Sequence, residues 1–393
     1  MKIPLARPWF DEADENAVLE TLRSGWVGPG PRVAAFEDRF AKYVDTPHAT
    51  AVSSCTAALH LAMLAAGLGS GDEVLVPAFT WISTPSSVEY VGARPVFCDI
   101  DPVTFNIDMA DAARRVTQRT RGIIPVHLFG LAADMDAVGE LARRHNLFVI
   151  EDAACALGCY YGDRHVGTLG DVGCFSFHPR KSITTGEGGM LTTRLESLDV
   201  TFRSLRDIGS DRTRLSQERA AQQLLPDYTV LGFNYRMTDL QASLGVTQLA
   251  KFELILDRRL ECARRYHELI NGSTLAAWLQ PPQLPREREH AYQAYVCRLT
   301  PPKNDEATIG QWHTRRNRLM QRLFEVGVAT RPGTHAPHML SYYRDKYKIR
   351  AADYPESSSA DWLTLALPLY ADLTADEQEW VCTRIGELWP KTR

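Results

Sequence analysis

Short apolar runs alternate with longer amphipathic stretches over the first two-thirds of the chain. Apolar runs bounded by turn residues predict buried strands, whereas apolar positions three or four residues apart predict helices. The predicted strands are Ala49–Val52, Glu73–Pro77, Arg94–Asp99, Gly122–Val126, Leu147–Glu151, Val172–Phe177 and Gly189–Thr193. The predicted helices are Thr56–Leu68, Ser83–Val91, Met109–Val116, Ala133–His145 and Thr238–Phe252. This alternation predicts an α/β fold with a mostly parallel seven-stranded sheet and helices on both faces.

The pattern changes after residue 250, where residues 250–270 predict one long amphipathic helix. The segments beyond it mix short strand and helix patterns, and the last of them predicts a helix, a strand and a second helix. We therefore predict two domains, a large α/β domain over residues 1–250 and a smaller α+β domain over residues 251–393. The polar stretch Ser210–Pro226 predicts a mobile surface loop.

Composition narrows the class of protein. The 393 residues are 45% hydrophobic and 23% charged, which is ordinary for a globular protein, and their net charge is -4. This charge offers no basic surface for nucleic acid or for an anionic membrane. No apolar stretch is long enough for a membrane helix, and the N-terminal region does not resemble a signal peptide. The eight cysteines form no C-x-x-C pair, so we expect reduced cysteines in a cytoplasmic protein.

Two residues with candidate chemistry follow predicted strands. Lys181 stands between a strand-like run and a glycine-rich loop in "FSFHPRKSITTGEGG". A buried lysine amine is more often neutral and nucleophilic, although a solvated loop lysine is the alternative. Asp152 follows the apolar run in "LFVIEDAAC", and ligands of open α/β sheets bind beyond the carboxyl ends of strands. A carboxylate there suits a protonated pyridine nitrogen, with a helix N-cap as the alternative.

Two further stretches suggest binding groups. In "AVSSCTAALHLAML", free N–H groups at the start of a helix and nearby hydroxyls form a candidate anion site, unless the Ser and Thr residues are plain N-caps. Trp81 in "VPAFTWISTPSS" could stack on a planar ring or could be an ordinary core residue. No metal site is expected, because His335 and His338 have no further ligands clustered nearby. "GWVGPGP" lacks the G-x-G-x-x-G spacing of a dinucleotide loop.

The order of these elements resembles that of the fold-type I pyridoxal phosphate (PLP) enzymes. More narrowly, it resembles the DegT/DnrJ/EryC1/StrS family of sugar aminotransferases, and the resemblance covers nearly the whole chain. The matching stretches include "SSCTAALHLAML", "IEDAAC", "GDVGCFSFHPRKSITTGEGGMLTT", "GFNYRMTDLQASLG" and "LPLYADLTADEQ". The resemblance implies that residues 1–250 form the PLP-binding domain.

The resemblance also implies a role for each matching residue. Lys181 is expected to form the Schiff base, Asp152 to pair with the pyridine nitrogen, and Trp81 to stack on the ring. The expected phosphate ligands are the backbone amides of Cys55 and Thr56 and the hydroxyl of Ser176. Asn234 in "GFNYRM" is expected to reach the phosphate of a neighbouring subunit, which implies a homodimer with shared active sites.

The resemblance also implies contacts with the substrate, and the chain differs from the family's usual residues at two positions. The loops that carry Trp26, Arg331 and His335 are expected to face the sugar nucleotide. The family usually has Gly where Cys55 stands, and backbone donors still serve there. It commonly has Gln or His where Cys155 stands, beside the cofactor's 3-oxygen, and a thiol is a weaker hydrogen-bonding group.

The implied activity is that of a PLP-dependent aminotransferase. The amino group of L-glutamate would pass, through pyridoxamine phosphate, to a nucleotide-linked keto-hexose. The loop "SITTGEGG" resembles the perosamine synthase-like branch, which aminates sugars at C4 rather than C3. A keto-inositol is an alternative acceptor, and a non-catalytic PLP-binding regulatory protein is an alternative outside the enzymes. Related dehydratases carry histidine at the position of Lys181. Because this chain has lysine there, a dehydratase activity is disfavoured.

Overall fold

The computed structural model of the protein describes residues 2–211, 226–285 and 288–389. Its central sheet has seven strands, which are β1 (His48–Val52), β2 (Glu73–Pro77), β3 (Arg94–Cys98), β4 (Thr120–Ile123), β5 (Phe148–Asp152), β6 (Val172–Ser176) and β7 (Gly189–Thr193). Their order across the sheet is β1-β7-β6-β5-β4-β2-β3. From β6 to β3 all neighbours are parallel, and β7 runs antiparallel to both β1 and β6.

Helices cover both faces of this sheet. Those of the described residues are α1 (Glu12–Ser24), α2 (Pro31–Tyr43), α3 (Cys55–Ala65), α4 (Ser83–Tyr90), α5 (Met109–Arg115), α6 (Met135–His145), α7 (Glu196–Arg206), α8 (Asp239–Ala250), α9 (Phe252–Asn271), α10 (Glu306–Glu325), α11 (Ser341–Tyr347), α12 (Pro355–Leu363) and α13 (Ala375–Leu388). Within these ranges no helix is long and apolar enough to cross a membrane.

Neighbouring residues of β6 show how the core is divided. Phe175 packs edge-on against Phe40 of α2, with ring centroids 5.0 Å apart. The preceding residue, Cys174, belongs instead to the buried cluster that contains Leu59 of α3. Successive side chains of a strand point to opposite faces of the sheet, so both faces of β6 are buried under helices.

A second, smaller sheet lies nearer the C-terminus. Its three antiparallel strands are β8 (Leu279–Gln280), β9 (Tyr295–Leu299) and β10 (Thr364–Leu367). It shares a buried cluster with Tyr266 of α9, Leu319 of α10 and Ile385 of α13. Two-residue strands also pair at Tyr160–Tyr161 with Arg164–His165 and at Ser210–Asp211 with Asp227–Tyr228.

The predicted α/β fold is confirmed by this architecture. The bounds of β2 and β7 are those predicted, whereas β5 extends one residue beyond its predicted end. That residue, Asp152, pairs with Cys174 of β6, and its N–H donates to the carbonyl of Pro125 over 2.9 Å. The division into two domains at residue 250 stays a prediction. Most of the predicted loop Ser210–Pro226 lies outside the described residues.

Candidate active site

The candidate site lies at the carboxyl ends of β5 and β6, where the start of α3 and the segment after β2 meet. Ligands of open α/β sheets bind at this edge. The cavity has a volume of about 320 Å³, and small-molecule sites usually span roughly 300–1,000 Å³. Most residues singled out from the sequence line it, namely Cys55, Thr56, Trp81, Asp152, Cys155, Ser176, Lys181 and Arg331.

Lys181 follows β6 in a tight turn. Its N–H donates to the carbonyl of His178 over 2.8 Å. The side-chain amide of Gln293 donates to the carbonyl of Arg180 over 2.6 Å. These bonds hold the backbone that carries the amine. The Nζ atom of Lys181 donates to Sγ of Cys155 over 3.1 Å, so the amine and the thiol meet in the cavity wall.

Asp152 ends β5 and is only 5% exposed. Its Oδ2 atom accepts a 2.8 Å hydrogen bond from the Thr84 hydroxyl, and its Oδ1 atom accepts one of 3.2 Å from the N–H of Ala154. Burial raises the pKa of Asp152, and the hydrogen bond from Thr84 opposes this rise. The hydroxyls of Thr80 and Thr84 lie 3.0 Å apart. The carboxyl group is therefore held in one orientation.

The start of α3 supplies donors for an anion. Ser54 caps the helix, because its hydroxyl accepts a 3.1 Å hydrogen bond from the N–H of Ala57. The N–H groups of Cys55 and Thr56 have no hydrogen-bond partner among the residues described. Burial raises the pKa of the Cys55 thiol well above its ordinary value, so this residue offers its backbone amide rather than a thiolate. At Gly189, a Cβ atom would lie 2.5 Å from the Ser54 carbonyl, which explains the glycine.

Trp81 lines the cavity and is 44% exposed. The centre of its ring lies 5.5 Å from that of His335 and 5.8 Å from the guanidinium carbon of Arg180. The N–H of Thr80 donates to the carbonyl of His335 over 3.0 Å, which ties the two segments together. His335 thus packs against Trp81 without lining the cavity itself.

A fully buried carboxylate, Glu151, lies on the opposite face of β5 from Asp152. Its Oε2 atom accepts a 2.9 Å hydrogen bond from Nε2 of His127. Its other donors are the backbone N–H groups of Gly167, Leu169 and Gly170. The His127 proton is on Nε2, because Nδ1 accepts from the N–H of Ala133. Burial acts to raise the pKa of Glu151, but these hydrogen bonds, first that from His127, hold it below its ordinary value.

Two residues singled out from the sequence lie away from the cavity of their own chain. Trp26 is 59% exposed, in the turn between α1 and α2, and donates from Nε1 to the carbonyl of Pro29. Asn234 is also exposed, in the segment before α8. The next residue, Tyr235, accepts a 2.8 Å hydrogen bond from the N–H of Ser53. The predicted roles of Trp26 and Asn234 stay predictions.

Comparison with known proteins supports the resemblance seen in the sequence. The model of the DegT/DnrJ/EryC1/StrS aminotransferase family matches residues 8–386. The chain belongs to this family. A relative, GDP-perosamine synthase of Caulobacter vibrioides, is 37% identical over 392 residues, which are 98% of this chain and 98% of the relative. The spore coat polysaccharide biosynthesis protein SpsC of Bacillus subtilis is 36% identical over 386 residues, 98% of this chain and 97% of SpsC.

Solved structures agree with the assignment to the DegT/DnrJ/EryC1/StrS family. The candidate sugar aminotransferase Spr1654 of Streptococcus pneumoniae, in its pyridoxamine phosphate (PMP) form, superposes with a TM-score of 0.90 at 28% identity. The match covers 98% of this chain and 99% of that chain. A PLP form of the same protein also matches. The family member described here is therefore a PLP-dependent sugar aminotransferase.

The chemistry of the cavity fits this cofactor. One end offers free helix-terminal amides and the hydroxyl of Ser176, which suit a phosphate. The cavity wall also carries a carboxylate, Asp152, and an amine, Lys181, which suit a pyridine nitrogen and an aldehyde. The accessible indole of Trp81 suits a planar ring.

Several residues of the site were not singled out from the sequence. Thr84 and Arg180 lie close in sequence to Trp81 and Lys181, and this proximity was the only signal that pointed to them. Gln293 carries no such signal, since only the fold brings it to the site. Its side-chain amide donates to the carbonyl of Arg180, which is 113 residues away along the chain.

Proposed function

We propose that this aminotransferase moves the amino group of L-glutamate to a keto-hexose linked to a nucleotide, with C4 of the sugar as the reacting carbon. The convergence of the Lys181 amine, the Asp152 carboxyl group and the free amides of α3 in one cavity carries the proposal. The similarity to GDP-perosamine synthase supports a nucleotide-linked sugar as the acceptor. The glycine loop that follows Lys181 favours C4.

Several residues of the cavity have a proposed part in holding the cofactor. The amides of Cys55 and Thr56 and the hydroxyl of Ser176 bind the phosphate. Asp152 hydrogen-bonds the pyridine nitrogen, and Trp81 stacks on the ring. When bound, PLP supplies an electron-accepting ring that eases removal of the proton from the α-carbon of the donor. Cys155 stands where the 3-oxygen is expected, and its Sγ atom also contacts Lys181.

Lys181 is the proposed acid and base. Its Nζ atom would take up the proton that the α-carbon of the donor loses, and it would return a proton when the sugar is the acceptor. The hydrogen bond from the Lys181 N–H to the carbonyl of His178, and that from Gln293 to the carbonyl of Arg180, fix the backbone that carries this amine. The hydrogen bond from Thr84 holds the carboxylate of Asp152 in one orientation, so its negative charge stays in a fixed position.

We also propose a homodimer in which Asn234 reaches the phosphate site of the partner and Trp26 faces the sugar nucleotide. The exposure of both side chains, away from their own cavity, supports this arrangement. The proposed location is the cytoplasm, which agrees with eight cysteines that are all free.

The function can be tested with purified protein, L-glutamate and a panel of acceptors. The panel contains 4-keto and 3-keto hexoses linked to GDP, UDP or dTDP, together with keto-inositols, and mass spectrometry reads the products. Amination of a nucleotide-linked 4-keto sugar is expected. Amination only of a 3-keto sugar or of a keto-inositol would contradict the proposed acceptor. A visible spectrum that does not change when glutamate is added would indicate a protein that binds PLP without turnover.

A further inference from the structure

A buried arginine of α9 holds a segment that borders the cavity. Arg259 is 4% exposed, and its Nε and Nη2 atoms donate to the carbonyl of Tyr292 over 3.1 and 3.0 Å. Its Nη2 atom also donates to the carbonyl of Gln293 over 2.6 Å. Among the residues described, Arg259 forms no ion pair, and burial lowers its pKa to about 10. A buried charge without a counterion is costly, and the hydrogen bonds to two successive carbonyl groups compensate this cost.

The backbone of the held segment is unusual. Tyr292 has a φ angle of +43°, in the left-handed region that a bulky residue rarely adopts. Its N–H donates to Nδ1 of His290 over 2.9 Å. A Cβ atom at Gly130 would lie 3.0 Å from the backbone nitrogens of Tyr292 and Gln293, so two segments of the chain pass very close together here. Strained backbone persists only where its surroundings hold it, and Arg259 is part of that support.

The held segment reaches the cavity through Gln293, whose side chain lines the wall. Its Nε2 atom donates to the carbonyl of Arg180 over 2.6 Å. A carbonyl group only accepts hydrogen bonds, so the amide of Gln293 has one orientation in this contact. The same peptide group contains the backbone nitrogen of Lys181, whose N–H donates to the carbonyl of His178 over 2.8 Å. The peptide group before Lys181 is therefore held at its oxygen and at its nitrogen.

The position of this peptide group matters for the amine at the end of the lysine side chain. A reacting group has to meet its partner at the correct distance and angle, and a shift of about 1 Å can cost roughly 100-fold in rate. If the peptide group before Lys181 were released, its backbone could turn and move the whole side chain. Hydrogen bonds that fix this peptide group therefore act on the chemistry without touching the substrate.

We propose that Arg259 is a positioning residue for the reaction: by fixing Gln293, it fixes the peptide group that carries Lys181. The inference rests on the proposed function for the part of Lys181 as acid and base. An arginine that only tied α9 to the segment before β9 would contribute to stability and leave the rate of the reaction unchanged.

The test compares Gln293→Met, Arg259→Met and the double variant. Rapid mixing of the cofactor-free protein with PLP gives the rate at which the visible band of the bound cofactor appears, which depends on the amine of Lys181. Exchange of the α-hydrogen of glutamate for solvent deuterium, followed by NMR, gives kcat and KM of proton transfer in the PLP-loaded enzyme. Urea unfolding gives the stability. The exposed residues Gln118 and Arg264, the latter also on α9, provide the controls Gln118→Met and Arg264→Met.

In Gln293→Met, both rates should fall by roughly 10- to 100-fold, because the amine is misplaced. The KM for glutamate should change by less than about threefold, since the groups that bind the donor stay in place. Arg259→Met should show losses of similar size. Because the two residues act in series on one peptide group, the double variant should be within about threefold of the slower single variant, whereas independent effects would multiply. Arg259→Lys, which keeps the charge and one donor group, should recover part of both rates.

Wild-type rates in Gln293→Met would overturn the inference, as would multiplied effects in the double variant. A lower free energy of unfolding in Arg259→Met with unchanged rates would also overturn it and leave Arg259 a structural role. If Arg259→Met does not fold, Arg259→Lys takes its place in the same comparison, alone and combined with Gln293→Met. If Lys181→Ala exchanges the α-hydrogen as fast as the wild type, the proposed acid and base is wrong. The rate at which the PLP band appears still decides whether Arg259 positions this amine.

Discussion

The Thr84 hydroxyl donates a 2.8 Å hydrogen bond to Oδ2 of Asp152, across the start of α4 and the end of β5. Burial favours the neutral form of this aspartic acid, and the threonine acts in the opposite direction. The pair therefore links the ionisation of the carboxyl group to its orientation. Thr84, near the start of α4, thus influences the group proposed to face the cofactor nitrogen.

Thr84→Val tests this link. Loss of the hydroxyl should raise the pKa of Asp152 further, so that more acid is neutral at a given pH. The acidic limb of the pH profile of kcat/KM for glutamate should then move to higher pH, and turnover at neutral pH should fall roughly 10-fold or more. Thr84→Ser keeps the donor and is the matched control. An acidic limb that stays in place in Thr84→Val would separate Thr84 from the ionisation of Asp152.

Lys181→Ala tests the proposed acid and base. Without the amine, proton transfer loses its catalyst and turnover should fall by roughly 100- to 10,000-fold. The visible absorption band that PLP gives in the wild type should also change, because the amine that would bind its aldehyde is absent. Circular dichroism should stay that of the wild type, since Cys155 is the one hydrogen-bond partner of the amine among the described residues. Lys42→Ala, on the exposed face of α2, is the control. Near-normal turnover in Lys181→Ala would mean that another residue acts as the acid and base.

Asp152→Asn tests the electrostatic role of the carboxylate. Asparagine keeps the size of the side chain but cannot stabilise a protonated pyridine nitrogen with a negative charge. Exchange of the α-hydrogen of glutamate for solvent deuterium, followed by NMR, should slow on the order of 100- to 1,000-fold. PLP should still bind, because the phosphate donors at α3 are untouched. The exposed residue Asp38 provides the control Asp38→Asn. If Asp152→Asn exchanges the α-hydrogen of glutamate as fast as the wild type and this control do, the carboxylate of Asp152 has no role in the mechanism.

The sequence predicted local features of the fold better than relationships between distant segments. The bounds of β2 and β7 follow from apolar runs that are buried along their whole length. Such runs carry no direction, so the antiparallel course of β7 could not be derived from them. Asp152 was identified because it follows an apolar run. Its hydrogen bond to Thr84 depends on packing of segments that lie 68 residues apart, which no local pattern encodes.

Glu151 provides a test of stability rather than of catalysis. Its carboxylate accepts hydrogen bonds from His127 and from three backbone N–H groups, all on one side of β5. In Glu151→Gln, an NH2 group replaces one of the two carboxylate oxygens. In either orientation of the side-chain amide, this NH2 group faces two of the four N–H donors. Two buried donors then lose their acceptor, so the free energy of unfolding should fall by about 3 kcal/mol.

The dependence of this loss on pH distinguishes the charge from simple packing. Because the pKa of Glu151 is lowered in the folded state from 4.5, its stabilising effect is complete above that value. The effect is lost as the pH falls from 4.5 through the folded pKa, where the wild-type carboxylate takes up a proton. Urea unfolding should therefore show a large difference between wild type and Glu151→Gln at neutral pH, and a smaller one as the solution is acidified. The exposed Glu140→Gln serves as control. A difference that is constant with pH would mean that shape, and not the buried charge, anchors the end of β5.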